Sequence, residues 1–288
     1  MNILPCHHDE KAVVQIAPTV ELLKNLDKRY PQVLKAEKIV PTDYHGKKVF
    51  RSAVETIRGQ YIASSITSRH ATVHGILAAL RDQAKIADFD ESGTTKRYDF
   101  EVLFSREPRV ASALEVKGGE GNSVNISDRP IWAVEFLVWC HLDGAITNQP
   151  SHGAAAIIFN RLTGELVKRQ KRVDALLIRD ALCGSPLRPC PKYKAGTDPA
   201  RIAPDIFLFP QAVPSLENPS PPVHTLETLR LPKMILDLFG VAKKDYPKHL
   251  WEVHVHVFSK GVAGSQRTMR RTTVRHEGTD LEEREIHV

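Results

Sequence analysis

With 288 residues, 42% hydrophobic and 26% charged, the chain is long enough to bury a core and has the composition of a globular protein. No run of about 18 apolar residues occurs, which excludes a conventional transmembrane helix. The start MNILPCHHDEK lacks the charged and apolar segments of a signal peptide, so a cytoplasmic protein is expected. The formal net charge of +6 permits a polyanionic partner without requiring one. It is unevenly spread: residues 161–194 hold nine Lys/Arg against three Asp/Glu, and residues 258–276 hold five Lys/Arg and no acid. Such clusters suit phosphate contacts, and solvated basic surface is the plainer alternative. Four cysteines (Cys6, Cys140, Cys183 and Cys190) are too few for a disulfide scaffold and read as reduced thiols.

In chain order, the spaced apolar positions Val20, Leu22, Leu23 and Leu26 predict a helix within 10–40, ending near Pro31. Residues 52–86 predict one long helix or two in tandem, with Ile62, Ile66, Val73, Leu77 and Leu80 at steps that are mostly three or four. DESGT at 90–94 is a turn cluster. Alternation then predicts a strand over 97–104; a turn follows at 105–108, and the short, largely apolar run 110–116 reads as a second strand, closed by glycines at 118–121. The apolar stretch 131–142 reads as a buried helix, 154–160 as a strand turning at 161–164, and 173–183 as a helix. Prolines crowd the chain after 183. A strand at 205–209, a helix at 232–241 and an alternating strand over 251–257 follow, and the charged tail after Gly278 is expected to fray.

The chemistry gathers at Asp99 and in Ala113-Leu114-Glu115-Val116-Lys117-Gly118-Gly119. Alternate residues of a strand share a face, so Glu115 and Lys117 project together. If the two strands pair as a hairpin, Asp99 approaches Glu115 across the ladder. Two carboxylates and the Val116 backbone carbonyl then converge, a hard oxygen set suited to Mg²⁺. Phosphodiester hydrolysis needs an activated water and a neutralised phosphate, which such a site supplies. Lys117, beside two carboxylates, is expected to orient and stabilise charge rather than to act as a free base.

This pattern resembles the signature of the PD-(D/E)xK nucleases, the superfamily of type II restriction endonucleases. Tyr98 stands where that signature carries proline. The resemblance covers roughly 50–185, with a helix before the hairpin (52–86) and another after it (131–142). It implies an α/β fold, a restriction-endonuclease-like mixed β-sheet flanked by helices, with a C-terminal α/β extension. The corresponding division is a nuclease core with N-terminal helices over 1–185, then a proline-rich connector and extension over 186–288. The implied catalytic residues are Asp99, Glu115 and Lys117, with Mg²⁺ as cofactor. Glu55, the only acid between Asp43 and Asp82, is the candidate for an added metal ligand from the first helix. Asn122, Ser123, Asn125 and Arg129 are candidates for DNA contact. The implied function is sequence-specific cleavage of double-stranded DNA by a homodimer. The alternatives are a repair or recombination nuclease of the same fold, or a DNA-binding protein with a degenerate nuclease fold.

Other constellations are weaker. Cys183 and Cys190 with Cys140-His141 fit no common zinc spacing. His254-x-His256 places two imidazoles on one strand face. No G-x-S-x-G elbow, Walker A loop or dinucleotide glycine pattern occurs.

Overall fold

The computed structural model describes residue 35 and residues 66–92, 98–118, 126–141, 154–179, 203–262 and 265–288. Among them runs one nine-stranded sheet whose strands lie in sequence order. The strands are β1 (Asp88–Glu91), β2 (Phe100–Arg106), β3 (Arg109–Gly118), β4 (Ala133–His141), β5 (Ala175–Arg179), β6 (Asp205–Leu208), β7 (Leu250–Val262), β8 (Ser265–His276) and β9 (Thr279–His287). The sheet is mixed. β1–β2–β3 form an antiparallel meander, β3, β4 and β5 are parallel, β6 is antiparallel to β5 and parallel to β7, and β7–β8–β9 form a second meander. β6 to β9 therefore continue the same sheet across the expected boundary at 185/186.

Helices cover both faces. α1 (Ile66–Asp82) buries Val73, Ile76, Leu77 and Leu80, a stripe at helical spacing. α3 (Arg230–Leu238) buries Leu231, Pro232, Ile235 and Leu236 in the same apolar layer, against Phe100, Leu114, Leu137 and Trp139. α2 (Ala154–Arg169) lies on the opposite face, where Leu162 and Leu166 pack on Phe136, Val138, Ile178 and Phe207. No helix among the described residues is long and apolar enough to cross a membrane.

Several sequence expectations change. Within the run 131–142, Ala133–His141 form strand β4, not a helix, and within 173–183 Ala175–Arg179 form strand β5. Both are central and buried on both faces. In β4, Leu137 and Trp139 face one layer while Phe136, Val138 and Cys140 face the other. A strand of that kind is continuously apolar and loses the alternation that would betray it. Conversely, 154–160 is helical: AAAIIFN begins α2, and the expected turn at 161–164 lies inside that helix. The 90–94 cluster is partly strand, since β1 runs to Glu91. The tail forms β9, because Glu277 and Gly278 adopt φ of 48° and 78° and make a two-residue hairpin loop between His276 and Thr279. The helix expected within 10–40 and the first part of 52–86 lie outside the described residues.

Buried charge locks the layers. Asp174, fully buried just before β5, accepts hydrogen bonds from Arg129, Arg172 and the Phe136 N–H, and its Oδ1 lies 3.1 Å from His224 Nε2. Burial works to raise this carboxyl, but the His224 hydrogen bond and the charges of Arg129 and Arg172 outweigh it and hold it below its ordinary range. Glu135 on β4 accepts the N–H groups of Arg230 and Leu231 at the start of α3, where the N-cap residue Leu229 offers no side-chain bond. Burial pushes the Glu135 carboxyl up, against those hydrogen bonds and one from Ser112.

Candidate functional site

The β2–β3 hairpin brings the three sequence-nominated residues to one end of the sheet. Phe100 pairs with Leu114, which sets Asp99 opposite Glu115 one step beyond the start of β2. Asp99 is held by backbone bonds on both sides: its N–H donates to the Leu114 carbonyl at 3.0 Å, and its carbonyl accepts from Ser92 N–H at 2.7 Å. Its side chain prolongs the ladder, with Oδ2 accepting the Val116 N–H at 2.6 Å. The N–H and C=O of one strand residue point the same way, so the Val116 carbonyl also faces the Asp99 end.

Glu115 and Lys117 share a strand face as expected, with Lys117 Nζ 2.6 Å from Glu115 Oε1. Glu115 is 4% exposed. Its other contacts come from Ser127, whose N–H lies 3.2 Å from Oε2 and whose hydroxyl lies 3.3 Å from Oε1. Lys117 stays partly open to solvent. Buried carboxylate and half-exposed ammonium thus form a held pair at the sheet's end. Its donor set is hard oxygen, the chemistry a divalent cation such as Mg²⁺ requires, and Asp99, Glu115 and the Val116 carbonyl are the groups that would hold it. Among the described residues no group of three or more His, Cys, Asp or Glu is gathered to hold a metal ion. Glu55 lies outside the described residues, as do Asn122, Ser123 and Asn125.

Arg129 is placed differently from the expectation of DNA contact. All three of its guanidinium nitrogens are occupied, by Asp174 and by the carbonyls of Ala133 and Val134. It clamps the approach to β4. The sequence offered no sign of this, because the partner lies 45 positions away.

Two groups beside the site, His70 and its partner Glu91, went unread in the sequence. His70 on α1 lies with Nδ1 3.1 Å from Glu91 Oε1 and Nε2 3.6 Å from Asp99 Oδ1. Its ring also packs on Phe100, with centroids 5.6 Å apart. The helix before the hairpin therefore does contribute a polar side chain to the site, through a histidine. The spacing signal was hidden because the contact runs from helix to strand edge.

Cys140 is a buried cysteine within β4 that forms no disulfide, and Cys183 and Cys190 lie outside the described residues. His254 and His256 line a pocket of about 390 Å³ between β7, β8 and the strap 220–225, with His254 on Glu252 and His256 Nδ1 2.6 Å from Ser220 Oγ. The basic run 258–276 is largely neutralised in place: Lys260 and Arg271 pair with Glu285, and Arg275 with Asp280. Within the first basic run, Arg172 is committed to Asp174 and Lys171 to the Ile126 carbonyl. No family model, curated protein or solved structure matches this chain.

Proposed function

We propose that this chain is a Mg²⁺-dependent endonuclease that hydrolyses phosphodiester bonds of double-stranded DNA, in the manner of a sequence-specific type II restriction enzyme. One observation carries the reading: at the open end of a single hairpin Lys117 Nζ lies 2.6 Å from Glu115 Oε1, and Asp99, just before the facing strand, reaches across to the Val116 N–H between them. A divalent cation held there would supply a water acidic enough to attack at neutral pH and would neutralise phosphate charge. The chain's own residues do the rest. Asp99, fixed through its backbone and through Oδ2, presents Oδ1 in one orientation. Lys117, steadied by Glu115, donates hydrogen bonds to the attacking water or to a phosphate oxygen, where charge builds in the transition state. Ser127 holds Glu115 and so limits the positions of both.

Supercoiled plasmid incubated with the full chain in Mg²⁺, and in parallel with EDTA, tests the reading. Nicked and linear products in Mg²⁺ alone are expected. Intact plasmid in both, across a panel of DNA substrates, would count against it.

A further inference from the structure

We infer that His70 is a metal ligand beside Asp99, that Glu91 fixes its ring for that role, and that the site consequently prefers Mn²⁺ to Mg²⁺. This rests on the proposed metal-binding role of Asp99. The argument begins with two unequal distances. Nδ1 of His70 is 3.1 Å from Glu91 Oε1, a hydrogen bond. Nε2 is 3.6 Å from Asp99 Oδ1, too long for one. That longer gap leaves room for a shared ion: two cis donors about 2.1 Å from an octahedral ion stand about 3.0 Å apart, so the pair would close by roughly 0.6 Å on binding. A carboxylate on one ring nitrogen and a metal on the other is the usual arrangement of a ligating histidine, because the carboxylate sets the tautomer and the ring plane.

Access and rigidity agree. The His70 and Asp99 side chains are 26% and 30% exposed, open enough for an ion to enter and buried enough to be held. Phe100 backs the imidazole, and the Val116 N–H backs the far oxygen of Asp99, so neither donor must move far. Water and substrate phosphate complete the coordination, as they commonly do where a protein supplies few ligands. A nitrogen donor changes the selectivity. Imidazole suits transition metals, whereas Mg²⁺ favours oxygen and keeps its water.

The test measures metal binding by the full-length protein in the absence of DNA, by calorimetric titration with Mn²⁺ and with Mg²⁺. NMR of the histidine imidazoles under substoichiometric Mn²⁺ runs beside it. The wild type is expected to bind Mn²⁺ more tightly than Mg²⁺ and to show selective broadening of the His70 resonances. His70→Gln is expected to weaken Mn²⁺ binding by about ten- to a hundredfold and Mg²⁺ binding by less than about threefold; Glu91→Gln is expected to weaken Mn²⁺ binding by about tenfold. Asp99→Asn should abolish both the binding and the broadening. If Asp99→Asn loses Mn²⁺ while His70→Gln binds it like the wild type, the ligand role of His70 is overturned and the Asp99 site stands. If Mn²⁺ binding is indifferent to Asp99→Asn as well, the metal-site reading fails with it.

Discussion

Asp99, Glu115 and Lys117 differ in what holds them, and the difference shapes what their replacement should do. Asp99→Ala and Glu115→Ala are each expected to abolish cleavage, and Ca²⁺ to support DNA binding with little or no cleavage, because its looser coordination positions water poorly. Lys117→Ala should lower cleavage by several orders of magnitude and leave DNA affinity within about tenfold, since affinity is spread over many phosphate contacts. A gel-shift titration beside a cleavage assay separates the two, and parallel loss of both would make Lys117 a binding or structural residue. The buried acids answer to pH in opposite senses. Asp174 is held below its ordinary value of 3.8, so its contribution is present above that pH and is lost as pH falls through its folded value. Glu135 is held above its ordinary value of 4.5, so the folded state keeps a proton that the unfolded chain releases, and stability declines as pH rises from 4.5 through the raised value. Glu135→Gln should flatten that decline in denaturant melts taken across the pH range. Glu135→Ala should flatten the decline as well and in addition cost about 2 kcal/mol relative to Glu135→Gln, because it leaves two N–H groups of α3 and the Ser112 hydroxyl without their partner.

At the scale of elements, what the sequence revealed depended on how many faces each element buries. The start of β2 and β7 were legible because one residue in two meets a different environment, and β3 as a short apolar run bounded by a turn and by glycines. Ala133–His141 and Ala175–Arg179 were not, since a strand packed on both faces carries no period of two. α1 was legible from its stripe, whereas α2 opens on Ala-Ala-Ala-Ile-Ile-Phe, which reads as a strand until its neighbours are known. The site shows the same division. Glu115 and Lys117 follow from strand geometry alone, and Asp99 follows from pairing. His70, Glu91, Ser127 and the Asp174 cluster depend on tertiary contacts that no local pattern encodes. The β8–β9 hairpin carried a local signal after all, the Glu277-Gly278 pair at positive φ. Gly278→Ala should cost about 1 kcal/mol in a thermal melt, because alanine is strained at a φ of 78°, although nothing crowds its Cβ.

Across the whole molecule, one sheet carries the candidate site near one edge and the β7–β9 meander at the other. Under the proposed function a single Asp99/Glu115/Lys117 set would cut one strand at a time, so a duplex break would call for two copies, and a homodimer on DNA is the expected assembly. Light scattering on the free protein and on a Ca²⁺-stalled DNA complex checks this; one 32.2 kDa protomer per duplex in both would point to sequential nicking. Acids of β9 pair with Lys260 of β7 and with Arg271 and Arg275 of β8, so that meander presents less free positive charge than its sequence implies. The most direct test of the central claim is cleavage of a methylation-free genome with Mg²⁺, by the wild type and by Lys117→Ala, followed by sequencing of the DNA ends. The wild type should produce ends at one recurrent short sequence and Lys117→Ala should produce almost none. No new ends from the wild type, or the same ends from both proteins, would contradict a nuclease built on Asp99, Glu115 and Lys117.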